Sequence, residues 1–508
     1  MKMKLKAKYI DMDTGEITAL LHDADCMEIG VREGDRIKVK HENNTIIAIV
    51  QTSNSVIKKG DIGLLGKAFN FIGPEAGEQL EVSMTSKPES VDYIRKKMDG
   101  MELSKDEIWT LVNDIASRSL SSVELAAYIT SLHINGMNLR ETADLTRAMV
   151  ETGETIEFDR SPVFDFHSVG GVPGNKVTLI VVPIVAAAGL LIPKTSSRAI
   201  SSAAGTADIV EVFANVDFDS KKLKQIAERV GGILAWGGGL NLAPADDIII
   251  RVEYPLGIDP HAQLLASVMS KKKAVGADHV LIDIPMGEGT KVPTMNLAKA
   301  YARDFIELGD KLGIKVECAV TYGGQPVGRS IGPALEAKEA IQILEGAKTP
   351  NSVLEKAISL SGMILEMGGI PRGFEKAKEI LESGRALDKF REIVAAQGGK
   401  ADIKSEDIQI GKFKVDVQAK KSGYVGMIRN RDLVKIARAA GAPKDKGAGL
   451  TIAKKVGYKV DEGEALFTIF SENEMKLADA LNVARRSEPM TVEGMVLIRM
   501  PGITRFQS

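Results

Sequence analysis

The chain has 508 residues, and 66 Lys+Arg against 68 Asp+Glu leave a formal charge of −2. That balance excludes a surface built to coat nucleic acid or an anionic membrane, each of which needs a basic surplus. With 44% hydrophobic and 26% charged residues the chain is too apolar for disorder, and at roughly 150 residues per domain it should hold about three or four globular units.

Met1 to Tyr9 alternates Lys with apolar residues and has no apolar core of the kind a signal peptide needs, so a cytoplasmic protein is expected. Two cysteines, Cys26 and Cys318, with no Cys/His cluster, predict neither a disulfide framework nor a metal site, and fit a reducing compartment. Over residues 1–86, short alternating runs such as RIKVK (Arg36–Lys40) and TIIAIVQT (Thr45–Thr52) are separated by turn residues, and no helix-length pattern interrupts them. A small N-terminal β-barrel is predicted there.

From Ser90 the period becomes helical. Ser90, Ser104 and Ser121 each precede an Asp or Glu in the manner of a helix cap, and a further helix runs from about Asn138. Residues 88–155 are expected to form a helical domain, completed by about 244–275. Segments 161–242 and 276–410 alternate strand-like runs (Gly232–Trp236, His279–Pro285, Lys315–Thr321) with glycine loops and helical patterns. That is an α/β layered domain. Its most apolar stretch, Val177–Ile192, is shorter than the ~20 residues a membrane span needs and contains Pro183, so it is read as a buried segment. Asp259-Pro260 opens a helix, with Asp as cap and Pro as first residue. Ser267 and Lys271 lie four apart on it and share a face. Residues 411–508 read as a strand-rich C-terminal α+β part. The fold class is therefore α/β and multi-domain.

The 49 glycines concentrate informatively, whereas Phe, Tyr and Trp together make only 5%. One cluster is HSVGGVPGNKVT (His167–Thr178); a second is TSSRAISSAAGT (Thr195–Thr206), rich in hydroxyls with a single Arg198. The others are GEGTK (Gly287–Lys291) and GGQPVGRSIGP (Gly323–Pro333), each following a strand-like run. Glycine lets backbone N–H groups approach an anion, and loops at strand ends are where α/β sheets bind phosphates. Each loop alone fits either an anion cradle or a plain connecting turn; together they suggest a phosphate-rich substrate. Neither a Walker A spacing nor a GxGxxG fingerprint with its acidic partner is present.

The segment SSRAISSAAGTADIVE (Ser196–Glu211) resembles the S-G-R-G-L-x-x-T-G-G-T-x-D-x-L-E signature of the thymidine and pyrimidine-nucleoside phosphorylases. HSVGGV (His167–Val172), ASVMSKK (Ala266–Lys272) and QPVGRSIG (Gln325–Gly332) resemble three more of that family's motifs, in the family's order. The resemblance covers about residues 88–508. Phe166 stands where the family has a lysine, Pro173 is an added residue, and Ser197 and Ala199 replace two glycines. The base-clamping arginine has no clear counterpart, since Val252 falls at its spacing beside Arg251. These departures and the N-terminal barrel are similar to the archaeal branch of the family, which acts on nucleoside 5′-monophosphates.

The resemblance implies a pentosyltransferase that converts AMP and inorganic phosphate to adenine and ribose 1,5-bisphosphate, with CMP and UMP as further substrates. It implies Asp259 as the proton donor. It assigns the nucleotide to Gly171, Ser197, Arg198, Ala199, Ile200, Ser201, Ser202, Thr206, Ser267 and Lys291. Ser168, Thr178 and Ser196, with Thr206, would face the attacking phosphate. His167 would touch base or sugar, or serve as a core histidine. Asp208 and Glu211 are read as structural partners for nearby donors. No cofactor, metal, nucleic acid or membrane partner is expected; a homodimer core, and a larger homo-oligomer through the barrel, are. Two alternatives stay open: a phosphorylase of free pyrimidine nucleosides, and a non-catalytic nucleotide-binding regulator.

Overall fold

The structure is a computed structural model, and it describes residues 2–12, 14–199 and 202–496. It contains two compact units, Met1–Gly153 with Ala243–Ser270, and Glu154–Leu242 with Lys271–Ser508.

In the first unit, β1 (Lys2–Ile10), β2 (Thr18–Leu21), β3 (Arg36–His41), β4 (Asn44–Thr52), β5 (Asp61–Leu65) and β6 (Gln79–Met84) close into a barrel. The strand order is β1-β5-β2-β4-β3-β6. The period of two does the sorting: Leu5, Ala7, Ile37 and Val39 point inward while Lys4, Lys6, Lys38 and Lys40 face solvent. Two helices that the sequence pattern does not announce, Asp23–Ile29 and Gly66–Ile72, interrupt the strands. Each spans about two turns, too short for a 3.6 period to register, and each stops on a left-handed glycine, Gly30 or Gly73. The barrel is fastened to the helices by Arg36. Its Nε donates to the Ser119 carbonyl at 3.0 Å, and its guanidinium pairs with Glu124.

The helices are Ser90–Met98, Lys105–Ala116, Ser122–Asn135 and Leu139–Glu151, joined in the core by Ala245, Ile249 and Ala266 from the later segment. Ser104/Glu107, Ser121/Glu124 and Asn138/Glu141 form reciprocal capping boxes. Ser90 is not a cap. It is the first helical residue, and its hydroxyl donates to Asp114 Oδ2 at 2.7 Å. Glu141 also draws in the buried Lys97 at 3.0 Å and the Leu103 N–H at 2.9 Å.

In the second unit, β7 (Phe164–Ser168), β8 (Ile192–Ser196), β9 (Gly232–Trp236), β10 (His279–Met286) and β11 (Lys315–Tyr322) are all parallel. One sheet has the order β11-β10-β7 and the other β8-β9, and a parallel bridge between Val163 and Leu191 links them. Strands covered on both faces read as nearly continuous apolar runs, which is why β9 and β10 are legible in the sequence, whereas β11 lies at the sheet edge with Lys315, Glu317 and Tyr322 exposed. The apolar run after the first glycine loop is an internal helix, Thr178–Ala187, with Thr178 to Ala186 all buried. After β11 the short strand Ser330–Ile331 pairs with Gly449–Ile452, which continues through Ala465–Ser471 to Phe413–Gln418. The C-terminal part is thus hydrogen-bonded to the α/β layer.

Candidate functional site

The glycine loops leave the C-terminal ends of the parallel strands, the edge where such sheets bind ligands. Glycine is required where they meet. At Gly171 (φ +102°) a Cβ would lie 2.9 Å from the Lys291 backbone N and 3.3 Å from Thr290 Cα. At Gly287 it would lie 2.4 Å from the Gly324 N. The loops after β7, β10 and β11 therefore touch backbone to backbone. Asn430, buried in the C-terminal part, donates to the Gly323 carbonyl at 2.9 Å and anchors the third of them.

The loop after β8 is organised by Asp208. Its Oδ2 accepts from the N–H of Ala199 at 2.7 Å and of Gly205 at 3.0 Å. Arg198 does not present an empty fork. Its two terminal nitrogens donate to Glu211 at 2.6 and 2.7 Å, and its guanidinium lies 4.8 Å from the Trp236 ring centre. Arg198 first, with Lys446 adding to it, holds the Glu211 carboxyl down at about 2. Asp208 and Glu211 are thus partners of local donors. Ser197 supplies the carbonyl that a Cβ on Gly205 would strike, and the Ser202 carbonyl accepts from Arg438 at 3.2 Å. Thr206 opens the five-residue helix Thr206–Val210. Ile200 and Ser201 lie outside the described residues.

Ser168, at the end of β7, donates to Asp283 Oδ2 at 2.6 Å and accepts from Asn175 Nδ2 at 2.7 Å. Asp283 is fully buried; it takes Thr321 Oγ1 at 2.5 Å and pairs with Lys356 at 2.8 Å. A charged residue in the middle of an apolar strand is tolerated here because it is paired and hydrogen-bonded. Thr178 is the first residue of the internal helix, and the Ser196 hydroxyl donates to the Ala235 carbonyl at 3.3 Å.

A second polar cluster flanks His167. Asp165 is buried and accepts from Lys272 Nζ at 2.7 Å and from the Phe166 N–H at 2.6 Å. Lys194 lies 3.7 Å from the same carboxylate and donates to the Thr195 carbonyl. Burial, and then the field of Lys272, Lys194, Lys291 and Lys271, drives the His167 imidazole well below its ordinary range, so it is neutral at pH 7. Phe166, between these residues in sequence, is fully buried.

In the first unit Asp259 is exposed in the link between the helices Pro244–Leu256 and His261–Ala274. The Pro260 carbonyl accepts from the Leu264 N–H at 2.9 Å, so the helix opens directly after Asp259-Pro260. Ser267 donates to Asp246 Oδ2 at 2.8 Å, and the buried Gln263 donates to its other oxygen at 3.1 Å.

Sequence reasoning missed Asp165, Lys194, Lys272, Asn175, Asp283, Lys356 and Asn430. Lys272, the middle of three consecutive lysines, is buried. The available signal was the alternation in β7 and β8, which puts Asp165 and His167 on one face and Lys194 and Ser196 on another. Among the described residues no group of His, Cys, Asp or Glu is placed to hold a metal ion. None of their helices is long and apolar enough to cross a membrane.

Residues 91–153 match the helical bundle domain of a glycosyl transferase family, residues 160–387 match its a/b domain, and residues 424–490 match a pyrimidine nucleoside phosphorylase C-terminal domain. Among solved structures, anthranilate phosphoribosyltransferase from Thermus thermophilus aligns with TM-score 0.52 and 20% identity over 61% of this chain and 100% of that one, a likeness of fold. The chain is 51% identical over 496 residues to AMP phosphorylase 1 of Archaeoglobus fulgidus, covering 97% of this chain and 98% of the relative. It is 52% identical over 504 residues to AMP phosphorylase of Thermococcus kodakarensis, covering 99% and 100%. The chain belongs to the AMP phosphorylases, a branch of the thymidine and pyrimidine-nucleoside phosphorylase family.

Proposed function

We propose that the protein catalyses phosphorolysis of AMP: a phosphate oxygen bonds to C1′, the bond from C1′ to the base breaks, and its electron pair leaves on adenine, giving ribose 1,5-bisphosphate. The observation that carries this reading is the convergence of glycine loops and cations at the C-terminal edge of the parallel sheet, beside a neutral His167. The names of the full-length relatives support it. CMP and UMP are proposed as further substrates.

The reaction passes through an oxocarbenium-like sugar, as glycoside hydrolysis does. The main work is to hold phosphate and sugar phosphate in line, because effective molarities for well-oriented groups are large. Backbone N–H groups of the loops at Gly171 and Gly287, with Lys291, are assigned to the 5′-phosphate. Ser168, Thr178, Ser196 and Thr206 are assigned to the attacking phosphate. Arg198 is assigned to the nucleotide, which must compete with Glu211 for its fork. Ser267, held by Asp246, is assigned to the nucleotide as well. Asp259 is assigned as the acid that protonates the departing base. Replacing it by Asn should lower kcat by roughly 10²–10⁴-fold, the usual worth of a general acid; unchanged base release would remove it from that role. Lys291→Ala should raise KM for AMP far more than KM for adenosine, and equal losses would refute its contact with the 5′-phosphate.

The competing reading, a phosphorylase of free pyrimidine nucleosides, predicts faster turnover of uridine or thymidine than of AMP in the same assay. A homodimer through the helices is also proposed, supported by exposed Val123 (79%) and Ile134 (73%) on the helix Ser122–Asn135. The barrel is proposed to build a larger assembly. Light scattering that finds the same number of subunits per particle with and without residues 1–86 would exclude the barrel's part in it.

A further inference from the structure

We propose that Lys194 is the residue that receives the charge of a substrate phosphate group, an assignment that rests on the phosphorolytic reading above. Two buried ammonium groups, Lys194 and Lys272, share the one carboxylate of Asp165. Lys272 takes Oδ2 at 2.7 Å, and the Phe166 N–H occupies Oδ1 at 2.6 Å. Lys194 is left at 3.7 Å, with a backbone carbonyl as its close partner. The neighbouring field is positive as well, since Lys271, Lys272 and Lys291 all act with Lys194 on His167. Neutral His167 cannot offset it.

A buried cation that lacks its own carboxylate is costly, and the cost falls when an anion arrives. Burial and then Lys272 lower Lys194 to about 7, against the pull of Asp165, so the unliganded protein meets that cost by holding the proton loosely. Strand alternation places Lys194 on the same face of β8 as Ser196, two residues before this last residue of the strand. The ammonium therefore belongs to the floor of the loop region. An anion of phosphate chemistry is the partner this arrangement lacks. It can be inorganic phosphate or the 5′-phosphate of the nucleotide.

The test compares wild type with Lys194→Met, an uncharged side chain of similar length. In wild type at pH 7.5, calorimetry with inorganic phosphate, or with AMP, in buffers of different ionisation enthalpy should show proton uptake beyond that of the ligand itself. Lys194→Met should abolish that excess. If inorganic phosphate is the partner, its KM should rise about tenfold or more, as for loss of a charge-assisted contact, with KM for AMP little changed. If the 5′-phosphate is the partner, KM for AMP should rise instead, with that for adenosine unchanged. The unliganded variant should melt at the same or a higher temperature, because an apolar side chain replaces a buried cation that has only a share of the Asp165 carboxylate. The rise in melting temperature that the ligand induces should shrink. A variant that is less stable without ligand, yet keeps both KM values and the same proton uptake, overturns the proposal. Absence of phosphorolysis in wild type refutes the parent reading separately, because proton-linked phosphate binding is still measured directly. Absence of that linkage in wild type also overturns the Lys194 assignment.

Discussion

Lys194 and Glu336 are buried ionisable residues that push stability in opposite directions with pH. The Glu336 carboxyl, which accepts from the Gly332 N–H at 3.1 Å, is raised to about 7 by burial against the lowering pull of Lys176. Its folded pKa lies above the unfolded value of about 4.3, so the folded chain binds more protons between them and stability falls as pH rises through that window. Lys194 is lowered to about 7 in the fold from an unfolded value near 10.4, so there the unfolded chain binds more protons and stability rises with pH above 7. Melting temperatures of the unliganded protein from pH 5 to 9 should show both arms. Glu336→Gln should flatten the acidic arm and Lys194→Met the basic one. A profile unchanged by either substitution would contradict the assigned shifts. Neither residue was legible in the sequence as a titrating group, because burial, which sets both shifts, depends on elements far apart in the chain.

At the scale of elements, the loops after the parallel strands are held by backbone contacts that only glycine permits. Gly171 and Gly189 both have positive φ, +102° and +94°. A Cβ on Gly171 meets the Lys291 backbone, whereas a Cβ on Gly189 meets nothing within 4 Å. Gly189→Ala should therefore cost about 1 kcal/mol of stability and leave kcat/KM intact, the ordinary cost of a side chain in the left-handed region. Gly171→Ala should lower kcat/KM for AMP at least tenfold, since a loop displaced by ~1 Å loses its alignment. Equal activities of the two variants would contradict the role given to the loop contact. These loops were legible as glycine clusters after apolar runs, and β9 and β10 were legible because doubly covered strands are largely apolar. The capping boxes at Ser104 and Ser121 were legible from local chemistry alone. The helices Asp23–Ile29 and Gly66–Ile72 were not, being too short to show a period.

At the scale of the whole molecule, a near-neutral chain handles a doubly charged substrate with a few placed groups. Many glycines and few aromatics now have a location: the small residues form the loop contacts at the sheet edge, with cations gathered near His167. A site that grips phosphate and sugar more than it stacks a base fits the proposed tolerance of several bases. The motif residues were readable in order along the chain, but their partners were not. Arg198 reads as an anion fork in sequence and is found engaged by Glu211, thirteen positions away; Ser168 reads as a phosphate ligand and is found hydrogen-bonded to Asp283. The most direct measurement is base release by the wild-type protein from AMP, with and without inorganic phosphate, with ribose 1,5-bisphosphate quantified. Phosphorolysis of AMP should give phosphate-dependent adenine release, one ribose 1,5-bisphosphate per adenine, and faster turnover of AMP than of adenosine, uridine or thymidine. Phosphate-independent release, or faster turnover of a free nucleoside, would contradict it.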